Sequence, residues 1–341
     1  MNPSSFARYA LVIMAGTGLL AGCGGNGGSS LAPTGISSAS RDAAHITKAL
    51  MVNGVLITAA HPAQFRQPPV PPDKKHHHHK KKPDQYITDF NDSNAFEFNY
   101  PKGDSSIGSI ANLTNAQGEC TKNGKKTFWV AATGSKVIDE FNVGRSTPIS
   151  TLSVASAGEP AGCAVDPTTG NLAATIINNG EVVVFANASG SGTTYPSGLS
   201  EAFFATYDKD GNLFVDGLNS AGVGLVELTK GGSSFQNISL GNSIEFPGNV
   251  QWDGTYVTVN DQDAHDIYQY TVSGTTATLK GTVSLSGSSD CDQTWIAKGV
   301  VYCPDAGAAN GKVYKYPAGG SPIATLTATF SEPIGAVQVT K

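Results

Sequence analysis

The chain has 341 residues, 39% of them hydrophobic and 14% charged, with 40 glycines and a formal net charge of −5. Residues 1–84 hold nine of the 22 Lys/Arg and three of the 27 Asp/Glu, which leaves 13 basic against 24 acidic residues, a net −11, for 85–341. An acidic body argues against a nucleic-acid partner, which needs a Lys/Arg surface, and about 257 residues suffice for one sizeable core.

Residues 1–22 read as an export signal: Arg8 precedes an apolar stretch, Tyr9 to Leu20, that is too short for a membrane span of about 20 residues. The following LAGC, Leu20 to Cys23, resembles the bacterial lipobox. That resemblance implies cleavage before Cys23 and acylation of its thiol and new amino group. Gly24 follows, not the aspartate that resembles an inner-membrane retention signal, so the outer membrane is favoured, with the protein facing periplasm or surface. Several acyl chains, at about 0.8 kcal/mol per buried CH₂, hold a protein stably without a protein span.

Residues 23–84 read as a tether. Gly24 to Ser40 is mostly Gly, Ser and Ala, a flexible composition. Between His45 and Pro62, Asn53-Gly54 separates two apolar runs and predicts a β-hairpin over 45–62. Such a hairpin is marginal alone and is expected to dock on a partner or on the rest of the chain. A proline-rich, basic linker follows, with His76, His77, His78 and His79 inside it. Four imidazoles suit Zn²⁺, Cu²⁺ or Ni²⁺. Lysines 74, 75, 80, 81 and 82 repel a cation, however, and favour a solvated spacer drawn to anionic lipid or cell-wall polymer.

From residue 85 the chain repeats. Gly158 to Gly190 contains three short β-prone runs broken by Gly, Asn, Asp and Pro, the pattern of antiparallel strands. Taking Gly162 as anchor, equivalent positions fall at Gly118, Phe204, Asn249, Asp292 and Gly335, spaced by 42 to 45 residues. A third run recurs as VIDEF, EVVVF, GLVEL, DIYQY and KVYKY, ending at Phe141, Phe185, Leu228, Tyr270 and Tyr316. A sixth copy, AFEFNY ending at Tyr100, has no first strand, and the final SEPIGAVQVTK has a first strand with nothing after it. A ring resolves both: a six-bladed β-propeller of four-stranded antiparallel blades over 85–341, in which the carboxy-terminal strand (334–339) joins the amino-terminal blade. Closure of that kind leaves only short, protected sheet edges.

The copies PAGCAVDPTTGNLAAT and ATYDKDGNLFVDG, with PGNVQWDGTYVTVND, resemble the NHL-type propeller repeat. Six blades also resemble the YncE-like and gluconolactonase/regucalcin-like groups.

Once Cys23 is lipidated four cysteines remain, an even count that suggests disulfides outside the cytoplasm. Cys120 and Cys163 follow their anchors by two and one residues in neighbouring repeats, and Cys291 and Cys303 flank a two-strand segment, so each pair is a candidate bridge. Lacking CxxC spacing, the four make a poorer thiol metal site.

Propeller ligands gather at the loops before each first strand and between the second and third. Before the anchors stand Glu159, Glu201, Glu245, Asp290 and Glu332, with Glu119 just after its own. The other loops add Asp216, Asn260 and Asp261. An oxygen-only set at a channel mouth would take Ca²⁺. Asp, Asn and Gly are equally the ordinary turn residues. In NDQDAHD, His265 is the only histidine of 85–341; streptogramin-lyase-like propellers use a histidine with other polar groups, a resemblance that makes His265 with Asp263 the runner-up acid–base pair behind a reading with no catalytic residue. Resemblance to gluconolactonases instead implies a metal bound by Glu159, Glu201, Asp216 and Asn260 that polarises a lactone. No phosphate-binding loop, nucleophile elbow or HExxH occurs. Trp129, Trp252 and Trp295 fall in predicted strands and read as packing between blades.

The reading that results is a monomeric, membrane-anchored exported lipoprotein without catalysis or a required cofactor. Its propeller would bind an envelope protein or glycan. The alternative is a divalent-metal-dependent lactonase-like hydrolase, or a lyase, working at the acidic mouth.

Overall fold

The computed structural model describes residues 85–122 and 126–339. The export signal, Cys23, the 45–62 hairpin and the histidines at 76–79 lie outside the described residues.

The first strands in chain order are β1 (Gln85–Asp89), β2 (Asn94–Phe98), β3 (Gly108–Ile110), β4 (Ala116–Cys120), β5 (Thr127–Ala132), β6 (Val137–Asn142) and β7 (Ser150–Ser153). Next come β8 (Pro160–Val165), β9 (Leu172–Ile176), β10 (Glu181–Phe185), β11 (Thr193–Pro196), β12 (Glu201–Tyr207), β13 (Leu213–Asn219), β14 (Gly222–Leu228) and β15 (Gln236–Leu240). They are followed by β16 (Pro247–Trp252), β17 (Val257–Asp261), β18 (Asp266–Ser273), β19 (Thr276–Ser284), β20 (Trp295–Ala297) and β21 (Val300–Asp305). The last are β22 (Asn310–Lys315), β23 (Gly319–Leu326) and β24 (Pro333–Gln338).

These runs become strands because their apolar and β-branched residues can bury a face, and the segments between them are built to turn. In the DPTTGN and DKDGN loops an aspartate accepts from the backbone just ahead of it. Asp166 takes the Thr168 N–H at 2.7 Å, and Asp208 takes the Asp210 and Asn212 N–H groups at 2.9 Å. Gly170 and Gly211 complete these two loops at φ +82° and +91°, where an L side chain is strained.

Four sheets have four strands each, in the orders β24-β1-β2-β3, β4 to β7, β8 to β11 and β20 to β23. The carboxy-terminal strand lies beside the first: Gln85 pairs with Gln338, Tyr86 with Val337 and Ile87 with Ala336. Residues 201–284 depart from the expected pattern. Instead of two separate four-stranded units they form one eight-stranded sheet, β12-β13-β14-β15-β19-β18-β17-β16. The link is made at the turn end of the β18–β19 hairpin, where Thr276 and Ala277, paired with Ser273 and Val272 of β18, also meet the open edge of β15. There Ser239 pairs with Thr276 and Leu240 with Ala277, in parallel. The terminal strands of that sheet, β12 and β16, pack against each other, as β8 does on β12 and β4 on β8. The described residues thus form an all-β array of repeated four-stranded antiparallel units, two of them joined in the eight-stranded sheet, an arrangement consistent with a β-propeller.

The core lies between successive sheets. Tyr86 and Val337 of one sheet meet Phe128 and Phe141 of the next, with the Tyr86 and Phe128 rings stacked at 4.0 Å. Trp129, Ile138 and Leu152 meet Leu172, Ile176 and Phe185, so Trp129 packs between sheets as its strand position predicts. Ile87 and Phe98 meet Tyr302, Val313 and Leu326, which joins the last sheet to the first. Each such side chain contributes roughly 2–3 kcal/mol on leaving water. Between the second and third of these sheets the Cys120–Cys163 disulfide spans a Cα–Cα distance of 5.6 Å. Cys291–Cys303 spans 5.2 Å.

Candidate functional site

The acidic residues ahead of the first strands are held by a recurring device. Asp89, at the end of β1, accepts from the Ser331 and Glu332 N–H groups at 2.7 and 2.9 Å. Asp261, at the end of β17, accepts from Glu245, Phe246 and Ala264 at 2.8 to 3.2 Å. Asp305, at the end of β21, accepts from Ser289, Asp290 and Ala308 at 2.9 to 3.1 Å, and Lys312 Nζ donates to it at 2.6 Å. Asn178 takes the Glu159 N–H in the same way, at 3.1 Å. The buried aspartates thus fasten the loops that carry Glu245, Asp290 and Glu332, and the exposed Asn178 does the same for Glu159. Burial raises the Asp89 and Asp261 carboxyls above the ordinary range, and the backbone N–H groups oppose it.

The mouth acids themselves are placed at matching points of successive sheets. Glu245 is exposed, Glu159 and Asp290 are half-buried, and Glu332 is buried. Glu201 begins β12, half-buried, and desolvation pushes its carboxyl up to about 7. Among the described residues no three of these carboxylates bring oxygens within 4.8 Å of one another; the one cluster that close is Cys291, Cys303 and Asp305, whose two sulfurs are bonded to each other. Asn260 turns its amide to the Cys291 carbonyl at 2.6 Å. No hydrogen bond reaches His265 Nδ1, which is buried, so the predicted pairing with Asp263 does not run through that atom.

Several of the repeat anchors are closely covered by side chains from neighbouring strands. A Cβ on Gly162 would stand 2.8 Å from Phe204 Cδ1, and one on Gly118 would stand 3.1 Å from Phe204 Cε1. Phe204 therefore crosses in front of β8 to reach β4, and only glycine leaves room for it. From the other side Gln293 crosses β24. Its Oε1 accepts from the Glu119 N–H and its Nε2 donates to the Glu119 carbonyl, both at 2.7 Å. Glu119 is wholly buried between strands instead of standing with the mouth acids, and burial holds its carboxyl well above the usual range.

At the opposite ends of the first strands a recess of about 210 Å³ opens. Tyr207, Trp252 and Trp295 stand around it with Lys209, above a floor that includes Gln293 and the Cys120–Cys163 bridge. The three rings are half-buried. Much of the polar lining is already engaged: Gln251 clasps Ile296 through both amide atoms at 2.7 and 3.1 Å, and Thr206 accepts from the Trp252 N–H at 2.9 Å. What remains is aromatic wall, suited to a flat or ring-shaped group. The expectation of a site at the acidic end does not find this recess. Its signal is in the repeat all the same: Tyr207, Trp252 and Trp295 each follow an anchor by three residues.

No protein-family model and no curated protein matches the chain. Solved structures do. A chain of a nidogen/laminin complex matches with a TM-score of 0.59 at 12% identity, over 74% of this chain and 96% of that one. A protein of unknown function from Bacteroides caccae matches at 0.57 and 12% identity, over 76% and 100%. A functionally unknown protein from Desulfotomaculum acetoxidans matches at 0.53 and 12% identity, over 75% and 98%. At that identity the likeness is one of fold, and the chain's sheets are those of a β-propeller-like architecture.

Proposed function

We propose that this chain is a bacterial envelope lipoprotein, anchored through Cys23 with the outer membrane favoured. Residues 85–341 form a monomeric six-bladed propeller of NHL-like or YncE-like kind that binds an envelope protein or glycan without catalysis. The count of six treats the eight-stranded sheet as two blades. Its halves share only the two residue pairs between β15 and β19, and β12 and β16 lie together as the other first strands do.

The observation that carries the binding reading is the aromatic recess. Three half-buried rings from successive repeats face one cavity of about 210 Å³, while the aspartates at the other end are spent on backbone N–H groups. One similar chain also comes from a complex between two proteins.

Labelling of cells with a clickable palmitate, with and without Cys23→Ser, tests the anchor. Titration of the protein's tryptophan fluorescence with purified envelope glycans and envelope proteins tests the recess. Saturable quenching that Trp252→Ala and Trp295→Ala each abolish supports the reading. Saturable binding indifferent to both substitutions overturns it for the recess.

A specific observation keeps the hydrolase reading in play: Glu201 has its carboxyl near 7, the range in which an acid both gives and takes a proton. Ca²⁺-dependent opening of lactones that is lost in Glu201→Gln would replace the non-catalytic reading.

A further inference from the structure

Four side chains share one place in the repeat. Thr88, Thr175, Asp216 and Asn260 each lie six residues before the next strand of their sheet, β2, β10, β14 and β18 respectively. Thr88 Oγ1 accepts from the Gly335 N–H at 2.8 Å and donates to the Gln117 carbonyl. Thr175 Oγ1 accepts from the Gly162 N–H at 2.9 Å and donates to the Phe203 carbonyl at 2.6 Å. Asn260 Nδ2 donates to the Cys291 carbonyl. The rule is common to all three: the carbonyl belongs to the residue just before the anchor of the next first strand. The N–H, for the two threonines, belongs to the anchor of their own sheet.

Asp216 obeys half of that rule. Its Oδ1 accepts from the N–H of its own anchor, Phe204, at 2.9 Å. Its Oδ2 is buried without a partner. The carbonyl the rule assigns to it is that of Gly248, just before the anchor Asn249. A carboxylate offers only lone pairs and would repel that oxygen, whereas a carboxylic acid carries the missing donor.

We propose that Asp216 is protonated in the folded protein, its Oδ2–H donating to the Gly248 carbonyl, and that losing this proton loosens a pH-sensitive joint between β12 and β16. Burial supports this by pushing the Asp216 carboxyl up to about 7, opposed only by backbone N–H groups. Among neighbouring strands, β12 carries Glu201 and Tyr207 at its two ends, β14 carries Glu227, and β16 carries no titratable side chain. None of them sets the Asp216 proton affinity. The joint matters because β12 also carries Phe204, which fills the space over Gly118 and Gly162. Ionisation of Asp216 strains the anchoring of that central ring.

Asp216→Asn supplies the donor permanently and copies Asn260; Asp216→Thr copies Thr88 and Thr175. In the full chain, the Asp216→Asn protein should melt above the parent by an amount that grows from pH 4 to pH 7 and then levels, reaching on the order of 10 °C. At pH 6 the infrared carbonyl band of a protonated carboxylic acid should lose intensity in Asp216→Asn. An unchanged band, a melting difference flat in pH, or failure of both variants to fold would each overturn the proposal.

Discussion

Gln293 holds Glu119 by the backbone from two sheets away, its amide accepting the Glu119 N–H and donating to the Glu119 carbonyl, both at 2.7 Å. Because the clasp passes over β24, it locks the sheet that contains both ends of the described chain. Gln293→Ala leaves a buried N–H and a buried carbonyl without partners, at about 1–3 kcal/mol each. The expected loss is about 2–4 kcal/mol, read as a lower urea midpoint with an unchanged slope.

The central packing predicts a coupled pair. Gly162→Ala puts a methyl 2.8 Å from Phe204 Cδ1 and 3.0 Å from the Phe203 carbonyl, and should cost about 1–3 kcal/mol. Phe204→Leu alone opens a cavity and also destabilises. Combined, the two should cost less than their sum, by at least about 0.5 kcal/mol in a double-mutant cycle.

Asp305 is a stronger anchor than its counterparts, because it holds three backbone N–H groups and Lys312, whose side chain is only 11% exposed. Asp305→Ala strands that ammonium and should cost roughly 3–5 kcal/mol by denaturant unfolding. Replacing Lys312 by Met as well should recover part of the loss.

The two disulfides should differ in weight. Cys120–Cys163 closes 43 residues and Cys291–Cys303 closes 12. Chain-entropy scaling gives about 4 and about 3 kcal/mol for their removal. Double Cys→Ser variants compared by thermal melting should rank in that order.

Glu119 makes a pH prediction of definite sign. Burial raises its folded-state carboxyl above the unfolded value of 4.5, so the stability it contributes is complete below pH 4.5 and is lost as pH rises toward the folded value. Glu119→Gln removes the ionisable group. Its melting advantage over the parent should therefore be small at pH 4 and increase through pH 7.

Much of the fold is legible in the repeat. The 42–45-residue spacing puts Gly118, Gly162, Phe204, Asn249 and Gly335 inside β4, β8, β12, β16 and β24, whereas Asp292 stands three residues ahead of the short β20. The unpaired ends of the repeat then require β24 to lie beside β1. The β15–β19 pairing is not legible, since it depends on how far one hairpin projects, which length alone does not set. At the acidic end, residue type is a poor guide to role: Asp261 and Asp305 resemble ligands in sequence but serve as acceptors for neighbouring backbone. The aromatic recess is a mixed case. Trp252 and Trp295 do pack against the core as their strand positions predict, and Tyr207 does likewise, yet all three also line the recess. Their common offset of three residues from the anchors is what brings them to one cavity.

The pairing of Gln85 with Gln338 also dictates an order of events during synthesis. A ribosome makes β1 first, yet the neighbour that covers one of its edges emerges some 240 residues later. Until then the nascent chain carries an uncapped strand, so this sheet cannot close before β24 has emerged. A stop codon that removes only β24 should leave a protein whose opening segment sticks to other chains.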